Sequence, residues 1–376
     1  MKSIGIITYH HYINYGTMLQ AYALQHYIAS LGYKAELIDF LLDRSMSKLD
    51  LIKLRIRRLP AYISQCKKYA AIAAAKQNNA EKAKLFEEFY KKNLVVSKKH
   101  YSTSQQLVDD PPLYDGYVVG SDQTWNPYAA GGQDVFFLPF VEDNTKKGSY
   151  APSISVSSLT QEQEERIKRH LHNFSYLSCR ELQGTELLKK ILKKDVKCVI
   201  DPTLLLSDIE WIKVASKINI EKPYILVYFL GDVEKQRDFV KKLADRTGYM
   251  VVTIPASYLE FQNKSWNQQW CGPDGFISLF NNAAYVCTDS FHGTAFAINF
   301  NKPFFTFCKT KDNERTSENS RLYSILDMFG LSGRLIEDGK LPKDLSVDFS
   351  YANKVLNQKR HEATVYLEKM LKTITR

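Results

Sequence analysis

The sequence predicts an α/β protein of two domains, each with a parallel sheet, facing a common cleft. Three observations predict it. Short apolar runs alternate with helical stretches along most of the chain. Polar, turn-rich loops follow the apolar runs. The length of 376 residues is enough for two separate cores. In open parallel sheets ligands sit beyond the carboxyl ends of the strands, so these loops are also where function is expected.

Ser3 to Thr8 reads as the first strand. His10 to Gly16 is a polar loop, and Thr17 to Leu31 is a helix closed by Gly32. Ala35 to Phe40 is the second strand, which completes a β-loop-α-β start. The stretch from Leu41 to about Asn93 reads as mostly helical, with a break at Pro60. Tyr117 to Val119 is a short strand that runs into the polar loop Gly120 to Pro127. Lys147 to Ala151 is another strand. Leu159 to His172 is a helix with acids early and bases late, as the helix dipole favours. Tyr176 to Arg180 feeds a helix from Glu181 to Leu192, and Val196 to Ile200 ends at Asp201-Pro202.

A second series follows a boundary placed between Ser207 and Lys222, giving domains of residues 1–210 and 220–376. Tyr224 to Leu230 and Met250 to Ile254 are strands around a helix from Val233 to Thr247. Phe276 to Asn282 is a helix. The apolar run Ala283 to Cys287 then meets a polar switch, Thr288-Asp289-Ser290, followed by His292, Gly293 and a short helix from Thr294 to Phe300. Asn301-Lys302-Pro303 breaks that helix before the strand Phe304 to Phe307. The final helix, Tyr351 to Ile374, is long and charged and is expected to pack back on the first domain.

The segment around His292 is the most informative. A strand, a polar turn and a helix start make an anion site, because the first helical turn offers unpaired N–H groups and positive dipole. A histidine there adds a proton or a hydrogen bond to a phosphate. The same pattern also suits a capping or packing histidine.

Composition narrows the class. The chain is 44% hydrophobic and 24% charged, as in soluble globular proteins. Its 23 tyrosines and 20 phenylalanines suit both core filling and stacking on sugar rings. Six cysteines are scattered without a C-x-x-C pair, which points to free thiols in a reducing compartment rather than disulfides or zinc. No metal or cofactor is expected. The first residues enter a strand without a signal-peptide pattern, and no apolar run is long enough to span a bilayer. A cytoplasmic location is expected.

The net charge of +10 is concentrated between Leu41 and His100, which hold fifteen basic and five acidic residues. From Leu49 to Tyr69 apolar and basic residues interleave. This suits either a solvated helical face or peripheral contact with an anionic membrane surface. No nucleic-acid motif accompanies the charge, so nucleic acid is not an expected partner.

Several ordered blocks together resemble the polysaccharide pyruvyl transferase family. They are Asn14-Tyr15-Gly16, Val119 to Asn126, Ser178-Cys179-Arg180-Glu181, Asp201-Pro202-Thr203-Leu204, and Thr288 to Gly293 followed by Asn301-Lys302-Pro303. The resemblance implies two Rossmann-like domains of the glycosyltransferase-B type. It also implies transfer of a pyruvyl unit from phosphoenolpyruvate, as donor substrate, to two hydroxyls of a sugar. The product is a ketal on a capsular, exopolysaccharide or cell-wall precursor, and the acceptor is a sugar that is lipid-linked in some pathways. By the family's motifs, Arg180, His292 and Gly293 bind phosphoenolpyruvate. Where the family block carries an arginine this chain has Ser290, so one charge contact is missing.

Arg321 is the expected substitute, with Lys309, Lys311 and Arg315 as other candidates. Arg180 either binds the donor or pairs with Asp201 or Glu181. Asp122 is a candidate general base or ligand of sugar hydroxyls, or else a turn carboxylate capping Thr124 or Gln123. Trp125 either stacks on the acceptor or fills the core, and Asn14 and Gly16 are expected on the acceptor side. A histidine between carboxylate and phosphate should hold its proton more firmly, which suits His292 as an acid. His10 and His11 have no assigned role. Two other functions stay open. One is a nucleotide-sugar glycosyltransferase of the same fold, with Trp266, Gln268, Gln269 and Trp270 at the base. The other is a non-catalytic sugar-binding or assembly protein.

Overall fold

The computed structural model describes residues 1–41, 66, 70, 73–128, 134–309 and 319–376. The amphipathic stretch expected from Leu49 to Tyr69 and the break at Pro60 lie outside these residues, apart from Cys66.

The first half contains β1 (Ser3–Ile7), α1 (Tyr15–Ser30), β2 (Lys34–Leu37), α2 (Lys76–Asn93), α3 (Ser104–Asp109), β3 (Gly116–Val119), β4 (Lys147–Ser149), α4 (Gln161–Leu171), β5 (Ser178–Cys179), α5 (Leu182–Leu192) and β6 (Lys197–Cys198). Its strands form a parallel sheet in the order β2-β1-β3-β4. The β5-β6 pair continues it through a parallel bridge from Gly148 to Tyr176. The second half contains α6 (Asp208–Ile212), β7 (Tyr224–Tyr228), α7 (Glu234–Thr247), β8 (Met250–Thr253), α8 (Tyr258–Gln262), β9 (Asn267–Gln268), α9 (Pro273–Asn282), β10 (Tyr285–Thr288), α10 (Phe291–Asn299), β11 (Phe304–Thr306), α11 (Asn319–Met328) and α12 (Ser350–Ile374). Its sheet is also parallel, in the order β11-β10-β7-β8-β9. The protein is thus α/β with two parallel sheets, as the sequence predicts.

The halves share one core. Helix α1 is buried on nearly every side, so its sequence carries no polar stripe. It packs on β2 and on the turn at Pro202–Leu204, and also on α9 and α10 of the second half. The Tyr15 ring stacks on Phe276 at 4.6 Å, and its hydroxyl donates to the Cys271 carbonyl at 2.8 Å. Trp211, on α6, is fully buried between Tyr22 and Phe296, and its Nε1 donates to the Thr203 carbonyl. Within the expected boundary region Trp211 is thus anchored in the joint core, while Asp208, Ile209, Ile212, Lys213 and Glu221 around it are exposed.

The last helix crosses back. Tyr366 of α12 donates its hydroxyl to the Ser149 carbonyl at 3.0 Å. A side chain at Gly148 would come within 2.6 Å of Met370 Sδ, so glycine on β4 lets α12 lie close to the sheet. Asn299 fastens the crossing. Its Nδ2 donates to the Thr203 and Leu206 carbonyls, and its Oδ1 accepts from Arg360 Nη2 at 2.8 Å. Arg360 Nε donates to the Leu204 carbonyl.

Replacing Asn299 by alanine removes three hydrogen bonds at this crossing, although the Thr203 carbonyl keeps Trp211 Nε1 and the Leu206 carbonyl keeps Arg360 Nη2. Asn299→Ala is expected to lower the unfolding free energy by roughly 2–3 kcal/mol in urea titrations. A change within about 0.5 kcal/mol, the range of ordinary surface substitutions, would show that the crossing does not depend on it.

Candidate active site

A cavity of about 490 Å³ opens where loops from the two halves meet. The first half lines it with Tyr9, Tyr12, Asn14, Thr17, Asp122, Gln123 and Asn126. The second half contributes Leu230, Ser290, Phe291, His292, Lys309 and Arg321. Most of these residues follow strand ends or begin helices, which is where parallel sheets place their ligands.

On the first-half wall Asn14 caps α1. Its Oδ1 accepts from the Thr17 backbone N–H at 3.1 Å. Thr17 then donates its hydroxyl to Asp122 Oδ2 at 2.7 Å. Asp122 follows β3 with a φ of 69°, a left-handed conformation that only a few per cent of non-glycine residues adopt. Its carbonyl accepts from the Ser153 N–H, and the carboxylate is turned back toward α1 and Arg180. Such strain at a cavity wall is typical of positions held for function.

Behind the wall lies a buried carboxylate, Asp201. One oxygen accepts from Ser121 Oγ at 3.0 Å and from Arg180 Nη1 at 2.6 Å. The other accepts from the Thr203 N–H and hydroxyl at 2.9 and 2.8 Å. His292 Nε2 stands 3.7 Å from the first oxygen. Burial opposes ionisation of Asp201, but the Arg180 and His292 charges and the hydrogen bonds outweigh it and hold the group well below the usual carboxylate range. Arg180 Nη2 lies 4.0 Å from Asp122 Oδ1, so one guanidinium faces two carboxylates. Its Nε and Nη2 are buried without a hydrogen-bond partner.

The second-half wall is the start of α10. Ser290 is its N-cap, with Oγ accepting from the Gly293 N–H at 3.3 Å. Thr288 packs against the Gly293 α-carbon so closely that a side chain there would overlap its hydroxyl. Asp289 does not face the cavity. It accepts from the Leu230 and Gly231 N–H groups at 2.7 and 2.9 Å and ties the end of β7 to β10. Burial raises it to about 6 despite those bonds. The helix begins at Phe291, earlier than the sequence suggests, so His292 sits in its first turn.

His292 is gripped from two sides. On one side is Asp201. On the other is Gly16, where a methyl group would overlap the imidazole at Nδ1. Phe291 lies against two cations, with Arg180 Cζ 4.4 Å and Arg321 Cζ 5.9 Å from its ring centroid.

The structure thus brings Asn14, Asp122, Ser290, His292 and Arg321 to one cavity, with Lys309 beside them. Lys311 and Arg315 lie outside the described residues. Three expectations change. Trp125 does not line the cavity: it is buried in the first-half core, where its Nε1 donates to the Phe136 carbonyl at 3.1 Å. Gly16 does not line the cavity, because His292 covers its α-carbon. Arg180 forms the ion pair to Asp201 and lies behind Phe291 rather than on the cavity surface.

Thr17, Ser121, Phe291 and Asp201 were not singled out as site residues. Asp201 had a signal, the Asp-Pro-Thr-Leu block after a strand, whereas Thr17 and Ser121 had only their places beside other loop residues. Trp266, Gln268, Gln269 and Trp270 do not line the cavity. Trp266 is in the second-half core, Trp270 stacks on Phe261, and Gln268 donates to the Glu260 and Asn263 carbonyls.

No helix among the described residues is long and apolar enough to cross a membrane. Among solved structures the chain is similar to UDP-GlcNAc 2-epimerase from Methanocaldococcus jannaschii. That match has 13% identity and a TM-score of 0.47, and covers 94% of this chain and 98% of the other. It is similar also to UDP-GlcNAc 2-epimerase from Neisseria meningitidis bound to UDP-GlcNAc, at 11% identity and TM-score 0.46, covering 99% and 94%. MurG from Acinetobacter baumannii matches at 8% identity and TM-score 0.43, covering 99% and 100%. Among curated protein sequences none matches the chain. The model of one family, described as polysaccharide pyruvyl transferase, matches residues 14–307, which include every residue placed at the cavity except Tyr9, Tyr12, Lys309 and Arg321. The chain belongs to the polysaccharide pyruvyl transferase family.

Proposed function

We propose that the protein transfers the pyruvyl unit of phosphoenolpyruvate to two hydroxyls of a sugar, forming a cyclic ketal and releasing phosphate. The observation that carries this reading is the cavity's division of labour. One wall offers a helix start with His292, Lys309 and Arg321, suited to a compact anion. The other offers Asn14, Asp122, Gln123 and Asn126, suited to sugar hydroxyls.

In this scheme one acceptor hydroxyl adds to the enol carbon, whose neighbouring methylene takes a proton and becomes the methyl group. The C–O bond to phosphate breaks with its electron pair on the phosphate oxygen. The second hydroxyl closes the ring, and its proton leaves with phosphate. His292 is the proton donor, either to the methylene or to the departing phosphate, and Asp122 is the base that receives a hydroxyl proton. Asp201 and Arg180 are positioning residues. Asp201 faces the ring of His292, and the guanidinium keeps that carboxylate ionised. Arg321 and Lys309 take over the donor charge that Ser290 does not meet.

The acceptor is a glycan precursor of a capsule, exopolysaccharide or cell wall. The basic surplus between residues 41 and 100 suits work at the anionic inner face of the cell membrane on lipid-linked acceptors. A nucleotide-sugar transferase is the less favoured reading, because the aromatic and amide residues expected at a base do not line the cavity.

Incubating the protein with phosphoenolpyruvate and aryl or lipid-linked galactosides and mannosides should release phosphate and add the mass of one pyruvyl ketal. Turnover of nucleotide sugars instead would sink this reading. His292→Ala should cut kcat by about 100-fold or more with the circular dichroism spectrum unchanged. Arg321→Ala should raise KM for phosphoenolpyruvate about 10- to 100-fold, in line with loss of a charged hydrogen bond, and leave KM for the sugar nearly as it was. Gly16→Ala should lower kcat at least about 10-fold by displacing the imidazole, without a matching rise in either KM. Full activity in that variant would show that the close approach of α1 does not position the histidine.

A further inference from the structure

A second cluster lies on the far side of the loop that follows β1. His10 and His11 are neighbours in sequence, yet the loop turns both rings toward Asp39 beyond β2, with ring centroids 4.1 Å apart. His10 Nδ1 lies 2.9 Å from the Thr8 carbonyl. A carbonyl can only accept, so Nδ1 carries the hydrogen and Nε2 bears a free lone pair. That nitrogen is buried, on a residue only 1% exposed, and has no hydrogen-bond partner. Leaving it so is costly unless something with an empty orbital or a proton meets it.

His11 Nε2 stands 2.6 Å from Asp39 Oδ1. One ligand atom from each of the three residues falls within 4.8 Å of the others. His100 Nδ1 approaches the same Asp39 oxygen at 3.1 Å from the outside.

We propose that His10, His11 and Asp39 bind one divalent transition-metal ion of the zinc class, which pins the loop after β1 against β2. Two imidazole nitrogens and one carboxylate oxygen form a donor set that favours zinc, cobalt or nickel over magnesium or calcium. The bond from His10 Nδ1 to a backbone carbonyl is the outer contact that typically fixes a ligating histidine's tautomer. Metal bonds of about 2.1 Å place tetrahedral donors roughly 3.4 Å apart, so binding needs only small shifts, with the 2.6 Å contact between His11 and Asp39 widening to admit the ion.

The adjacent pair has no ligand spacing in the sequence, where no metal was expected. The fold supplies the third donor. The site does not touch the proposed chemistry. It borders the cavity through Tyr9 and Tyr12, which line both the cavity and the small pocket at His10 and His11. The ion's work is to hold that wall in place.

The full chain, stripped with a chelator, should bind one equivalent of Zn²⁺ by calorimetry. It should also take Co²⁺ with the visible absorption bands of a four-coordinate site, and excess Mg²⁺ or Ca²⁺ should not compete. His11→Asn and Asp39→Asn alter partly exposed side chains and leave the Thr8 bond of His10 intact. Each should weaken Zn²⁺ binding by at least about 100-fold and remove the Co²⁺ bands, while His361→Asn, remote on α12, changes neither. Absence of stoichiometric Zn²⁺ binding by the unaltered chain, or undiminished binding in both variants, would overturn the assignment. So would equal binding of Mg²⁺.

Discussion

The carboxylate of Asp201 is the point on which the site depends. It is fully buried, and four elements meet on it: Ser121 after β3, Arg180 after β5, Thr203 in the segment that leaves the first half, and His292 from the second half. An isolated charge there would be prohibitive. Arg180 and three hydroxyl or amide donors make it tolerable. The same arrangement ties the surroundings of His292 to the integrity of both sheets. A buried pair of this kind adds little net stability over an apolar substitute. What it supplies is direction, since each partner must arrive in one orientation to satisfy the carboxylate.

Much of this frame could be read from the residues. Short apolar runs ending in polar loops gave the two parallel sheets, because buried parallel strands carry apolar residues on both faces. The signal of α10 was partly hidden. Ser290 is a good N-cap, but the apolar Phe291 and the adjacent His292 and Gly293 read as a loop, which places the expected helix start at Thr294. Helix α1 was legible by its length and by Gly32. Its role was not, since a helix buried all round has no face that says which partners it meets.

The departures at Trp125, Gly16 and Arg180 share one cause. Sequence order shows that a residue follows a strand, but not whether its side chain turns to the cavity or to the core. Trp125 turns inward because the adjoining loop brings the Phe136 carbonyl to its indole. Gly16 is needed for what it lacks, and only the position of His292 reveals that. Arg180 stands one layer deeper than a direct ligand because Phe291 covers it. The long-range pairings that fix these outcomes, such as Thr17 with Asp122, leave no periodicity in the chain.

The core that runs from Tyr15 through Phe276 and Trp211 to Phe296 bears on cooperativity. Two sheets joined by a solvated hinge would melt separately and swing freely. Here the joint is as dry as the sheets themselves, and α12 straps the second half across the back of the first. The molecule is therefore one thermodynamic body with two architectural halves. A wide hinge swing would have to unpack aromatic rings, so substrate entry is a matter for the loops at the cavity mouth rather than for the halves.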